Sequence, residues 1–143
     1  MAEFTYNPVQ EVQPNQNVIL NSAISCNKGY VLHRNESGIV TLRGIVNNPC
    51  GKFARYRVQF DANLAVPTEE TPGPISVSVA IDGEAIQTSN AIVTPTVADA
   101  YFNVVSFAII DVPAGCCYTV SVENTSTIPI NVQNANLEVT RIA

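Results

Sequence analysis

The stretch Arg55 to Leu64, RYRVQFDANL, decides the fold class. Successive side chains of an extended chain point to opposite faces, so Tyr56, Val58, Phe60, Ala62 and Leu64 share one side. Arg55, Arg57, Gln59, Asp61 and Asn63 share the other. An apolar row backed by a polar row predicts a strand with one face in a core and one in water. Helical periodicity is almost absent from the rest of the chain. Short runs rich in Val, Ile, Thr, Phe and Tyr recur instead between clusters of Gly, Pro, Asn and Asp, the pattern of an all-β protein.

Toward the C-terminus, Val66 to Pro74 (VPTEETPGP) reads as a proline-stiffened loop, and Ile75, Val77, Val79 and Ile81 then alternate with Ser76, Ser78 and Ala80. Asp82-Gly83 supplies two residues tolerant of positive φ, as a two-residue type I′ hairpin turn requires, and returns the chain through Glu84 to Thr88. Ala91 to Thr96 and Tyr101 to Val112 are further strands. The second is apolar on both faces, which suits a strand covered by its own core on one side and by a neighbouring subunit on the other. Pro113 to Gly115 turns into Cys117 to Asn124, with Tyr118, Val120 and Val122 pointing inward, and Ile130 to Ile142 is the last strand.

Toward the N-terminus, Asn47 to Gly51 closes a strand from Ile39 to Val46, in which Val40 and Leu42 oppose Ile39, Thr41 and Arg43. Tyr30 to His33 is a short extended piece between turns at Asn27 to Gly29 and Asn35 to Gly38, and Val18 to Ala23 is a strand. Residues 1–17, polar and carrying Pro8 and Pro14, read as an extended N-terminal arm ahead of a single domain over residues 18–143. The eight to ten strands counted in this way suit an antiparallel β-sandwich of the jelly-roll type.

Only 13% of the residues are charged, about half the usual share, so the surface is rich in Asn, Gln, Ser and Thr. A net charge of -5 with Lys and Arg scattered singly along the sequence gives no footprint for nucleic acid, whose affinity comes from grouped cations. No apolar run is long enough for a membrane-spanning helix, and the opening MAEFTYNPVQEVQPNQN has neither a basic start nor an apolar signal core. Synthesis in the cytoplasm without a signal peptide is expected, with no membrane partner.

Catalytic chemistry has little to build on. His33 is the single histidine, so any Ser-His or Cys-His pair would rest on it, and a hydrogen-bonded surface or interface histidine is the expectation. Cys26, Cys50, Cys116 and Cys117 lack paired zinc spacings, and no cofactor or metal is expected. Cys116 and Cys117 are expected to be small buried residues on opposite faces of a strand start. The alternative is a disulfide, either from this pair to another cysteine or between Cys26 and Cys50. Glu69 and Glu70 read as solvated charges, and Asn35-Glu36-Ser37 and Asn124-Thr125-Ser126 as turns rather than glycosylation sites.

The final third, VPAGCCYTVSVENTSTIPINVQNANLEVTRIA from Val112 to Ala143, resembles the closing strands of C1q/TNF-like jelly rolls at the C-terminus of bacterial spore-surface collagen-like glycoproteins. The likeness lies in the turn before Cys116, the turn at Asn124, and the closing Leu137, Val139, Arg141 and Ile142. YVLHRNESGIVTLRG, Tyr30 to Gly44, is similar to a stretch in small proteins of Gram-positive gut bacteria and their phages. The resemblance implies a non-enzymatic homotrimer with Tyr101, Val105 and Phe107 near the subunit seam. There is no collagen-like stalk. The short arm in its place suits a capsid decoration or head-fibre protein of a phage, docked on an underlying capsid or other surface protein through that arm. A spore-coat component and a carbohydrate-binding module are the alternatives, the latter weakened by the absence of Trp.

Overall fold

The computed structural model describes residues 2–22, 31–33, 37–44 and 51–142. The strands are β1 (Ala2–Tyr6), β2 (Gln10–Val12), β3 (Asn21–Ser22), β4 (Val31–His33), β5 (Val40–Arg43), β6 (Phe53–Ala65), β7 (Ile75–Ile81), β8 (Glu84–Ala85), β9 (Ala91–Val93), β10 (Phe102–Pro113), β11 (Cys117–Asn124) and β12 (Ile130–Arg141). One antiparallel sheet runs β10-β6-β12-β1-β3, with β2 also on β12. The other runs β4-β5-β11-β7-β8, with β9 also on β7. The chain therefore crosses between sheets on passing from β5 to β6, β6 to β7, β10 to β11 and β11 to β12, the winding of a jelly roll.

β6 is buried at every position expected of it: Tyr56, Val58, Phe60, Ala62 and Leu64 all face the core. Phe4, Leu42, Ile130 and Leu137 pack in the same layer, each fully buried. Burying a side chain of this size contributes roughly 1.5–3 kcal/mol, so these inner rows hold the two sheets together. The Tyr56 hydroxyl enters the core with a partner, donating to the Arg43 carbonyl. The hairpin also forms as expected, with Asp82 at φ 51 and Gly83 at φ 86 between β7 and β8.

The first residues differ from the reading as an arm. They are extended, but β1 pairs with β12 from Ala2↔Val139 to Tyr6↔Ala135 and with β3 on its other side. β2 continues along β12 from Val12↔Ile130. Ala2, Phe4 and Val12 are buried in the core, because Ala2, Phe4 and Tyr6 form an alternating row of their own. Between β1 and β2 the chain steps aside at Asn7 to Val9. β12 follows with a bulge between Gln133 and Asn136, where Asn134 takes a positive φ and its N–H donates to the Asn7 carbonyl.

Three other elements are shorter than read. The Val18 to Ala23 run contributes only Asn21–Ser22 as strand, although Val18 and Leu20 are still fully buried. Glu84 to Thr88 leaves the sheet after Ala85 and enters a 3₁₀ turn, Gln87–Ser89. That turn lies along the edge of β7 between β8 and β9 and supplies partners to it: Ser78 Oγ donates to Asn90 Oδ1, and the Val79 N–H donates to Ser89 Oγ. β9 ends at Val93. The expected turns at Asn27 to Gly29 and over most of Asn47 to Gly51 lie outside the described residues.

Candidate assembly surface

β10 alternates more cleanly than its sequence suggests. Val104, Ser106, Ala108, Ile110 and Val112 face the core, whereas Val105, Phe107 and Ile109 point outward and are 55%, 51% and 47% exposed. Among the described residues no second layer covers that outer row, so the strand's second apolar face is an open ridge. Ser106, the polar break in the inner row, is satisfied by donating to the Ser89 carbonyl. Of the seam residues named from the sequence, Val105 and Phe107 share this ridge. Tyr101 lies just before the strand, half buried, with a side-chain hydrogen bond to Asn131. Burial and then Asp99 push its hydroxyl above the usual phenol range.

Ile109 belongs to the ridge and was not singled out from the sequence, although it sits at the same parity as Val105 and Phe107. The neighbouring outer row of β6 flanks it through the register Val105↔Asp61, Phe107↔Gln59, Ile109↔Arg57 and Asp111↔Arg55. The Arg57 guanidinium lies over the Phe107 ring at 5.6 Å, and that of Arg55 over Phe53 at 5.0 Å. Arg55 also clamps Asp111 with two parallel bonds, Nε to Oδ1 at 2.7 Å and Nη2 to Oδ2 at 3.0 Å. That clamp holds the Asp111 carboxyl below the usual range and raises Arg55. The result is an apolar ridge with a polar, charge-bearing border.

Elsewhere the chemistry-bearing residues stay apart. His33 Nε2 is 2.9 Å from the Ser37 carbonyl, hydrogen-bonded as expected, but its ring is partly buried, with its centroid 4.6 Å from that of the core residue Phe4. Cys116, in the turn before β11, and Cys117, the first residue of that strand, carry free thiols and are exposed, not small buried residues as read from the sequence. Cys26 and Cys50 lie outside the described residues. Asn124 is fully buried, donating through Nδ2 to the Val12 and Ile128 carbonyls and accepting the Ser126 N–H, the work of a turn residue. Among the described residues no group of three or more His, Cys, Asp or Glu side chains could hold a metal ion, and no helix is long and apolar enough to cross a membrane.

Known structures share this arrangement of two sheets. The chain is similar to Eiger TNF from S. frugiperda, at 13% identity and a TM-score of 0.71 over 99% of this chain and 91% of that one. It is similar to the globular domain of zebrafish complement 1qA, at 14% identity and a TM-score of 0.66 over 99% and 96%. Its architecture is a jelly roll of the TNF and C1q kind. The PRD1 vertex protein P5 shares the fold at 12% identity and a TM-score of 0.52, again over 99% and 96% of the two chains. No family model matches the sequence, and no curated protein does. At these identities the likeness is one of fold.

Proposed function

We propose that this chain is a structural, non-enzymatic domain that works by self-assembly, a homotrimer joined through the outer face of β10 and displayed as a capsid decoration or head-fibre protein of a phage. The ridge of Val105, Phe107 and Ile109 carries the reading. Three large apolar side chains, each about half exposed and aligned on one strand, form the kind of contiguous patch that marks an interaction surface. Covering them contributes roughly 1 kcal/mol apiece, counted as half of a full side-chain burial. The border supplies charge and hydrogen-bonding groups that fix orientation. The PRD1 vertex protein P5 supports placing such a fold on a virion. Because β1 and β2 are sheet strands, attachment to the particle uses an end or rim of the sandwich and not the first 17 residues.

Size-exclusion chromatography with light scattering tests the assembly: the expected mass is three times 15.3 kDa. Val105→Glu combined with Phe107→Glu gives a folded monomer with an unchanged circular-dichroism spectrum. A monomeric wild-type chain at high concentration overturns the trimer. Absence of the protein from purified virions overturns the virion assignment and leaves the assembly standing.

A further inference from the structure

The described lysines and arginines, scattered along the sequence, are gathered in space. The antiparallel register of β6, β10 and β12 puts Phe53, Pro113 and Arg141 at one end of the sandwich and Ala65, Phe102 and Ile130 at the other. Arg43 joins the first end by pairing with Cys117, and Lys52 is held there by its carbonyl, which accepts the Ala114 N–H. All five described cations, Arg43, Lys52, Arg55, Arg57 and Arg141, therefore lie in the half that ends at the Pro113–Cys117 turn. Of the carboxylates in that half, Asp111 is clamped by Arg55 and Asp82 accepts from the backbone and hydroxyl of Thr119. Glu84 is exposed on the hairpin, and Glu3, Asp61 and Glu138 lie at mid-length of the sandwich, where Glu138 faces Glu3 and Gln59.

The opposite end has the reverse sign. Glu11 faces Asn131 at the start of β12, Glu69 and Glu70 lie on the loop joining β6 to β7, the Asp99 N–H donates to the Val66 carbonyl, and Glu123 sits one residue from the end of β11. No described Lys or Arg lies among these five.

We propose that copies of this chain associate end to end, the cationic Pro113–Cys117 end of one seated on the carboxylate end of the next. The complementarity is written on a single molecule, so the occupant of each end is a second copy. The contact is heterologous, and a head-to-tail contact that does not close grows as a file of subunits. It uses the ends of the sandwich, with Arg43, Lys52 and Arg141 at the cationic one, and leaves the β10 face, whose border carries Arg55 and Arg57, free for the trimer contact. It rests on the trimer reading only for multiplicity: if the unit is a trimer, each end repeats the contact three times and the file is more stable. Exposed ion pairs are individually weak and screened, so the association is salt-dependent.

Sedimentation velocity of the full chain near neutral pH, in about 10 mM and about 0.3 M salt, spans charge screening lengths from long to short. The expected result is a concentration-dependent growth in mean mass of at least about twofold at low salt, lost at high salt as screening shortens the field. Glu11→Lys with Glu69→Lys and Glu70→Lys makes both ends cationic, and Arg43→Glu with Lys52→Glu makes both anionic. Each variant alone stops growing. An equimolar mixture grows again, which also shows that both are folded. Absence of low-salt growth in the wild type, growth retained by either variant, or a mixture that stays unassembled overturns the proposal. The mass of the unit left at high salt reports on the trimer separately.

Discussion

Asp61 and Asn136 face each other across β6 and β12, and the two ask for the same thing. Asn136 Oδ1 is buried without a hydrogen-bond partner among the described residues, an acceptor that lacks a donor. Burial, and then the charge of Glu138, push the Asp61 carboxyl above its usual value of 3.8, so ionising Asp61 is penalised at this site relative to water.

Asp61→Asn is therefore expected to stabilise the subunit near neutral pH, by replacing a charge with a neutral side chain that carries N–H donors. A pKa raised in the folded state contributes stability that is present below the unfolded value and lost as pH rises through the folded value. The gain is accordingly of order 2 °C in Tm near pH 7, discounted for the exposure of the site, and disappears toward acid, where the wild-type carboxyl is itself protonated. Thermal melts of both proteins across pH check this. A gain that is equal at every pH rules out the titration of Asp61 as its cause.

Ser89 holds the segment that lies along the edge of β7. Its Oγ accepts the Val79 N–H at 3.0 Å and donates to the Ile86 carbonyl at 2.7 Å, and its carbonyl accepts from Ser106 on β10. One buried serine thus ties β7, the 3₁₀ turn and β10 together. Ser89→Ala leaves the Val79 N–H without a partner in a dry site, at a cost of roughly 1–3 kcal/mol. Urea denaturation should show the unfolding free energy falling by that amount, as a lower midpoint at unchanged slope. Ser89→Thr keeps the hydroxyl and recovers part of the loss where its extra methyl is accommodated.

The N-terminal strand separates what the sequence made legible from what it hid. β6 was readable because ten residues alternate without interruption around an obvious core row, and Asp82-Gly83 because a turn of that kind has a backbone requirement of its own. β1 has the same alternation in Ala2, Phe4 and Tyr6, but over five residues, and the prolines and polar residues that follow outweighed it. β10 hid its open ridge for a different reason: both faces are apolar, and only the register with β6 says which one is covered. The segregation of cations and carboxylates depends on strand order, since Arg43, Arg57 and Arg141 come together only through pairing.

Phe4 tests this correction. Its side chain is fully buried, between the Leu137 position of β12 and the His33 ring, so Phe4→Ala is expected to cost about 3–5 kcal/mol, a large share of a domain's total stability. Removal of residues 1–12 strips β1 and β2 from β12 and uncovers its edge, and the product should be unfolded or aggregated by circular dichroism and light scattering. A dispensable arm would leave the denaturation midpoint unchanged in both cases.

Gly44 and Gly83 make a matched pair in which two different needs for glycine can be told apart. Gly83 has φ +86 with open space around it, so Gly83→Ala meets only the backbone preference and costs about 1 kcal/mol. Gly44 lies outside the left-handed region, and its N–H donates to the Cys116 carbonyl at 2.9 Å. A Cβ added there collides with the carbonyl oxygen of Pro113, a backbone atom fixed at the end of β10. Gly44→Ala must push the β5 end away from the Pro113–Cys117 turn, at the upper end of the overpacking range of about 1–3 kcal/mol. It is therefore expected to lower Tm more than Gly83→Ala does. Because that turn caps the cationic end, it should also weaken low-salt association more than its stability loss alone explains, whereas Gly83→Ala leaves association intact. Melting and sedimentation run on the same two variants separate these effects, and equal losses in both would deny Gly44 its role in seating the turn.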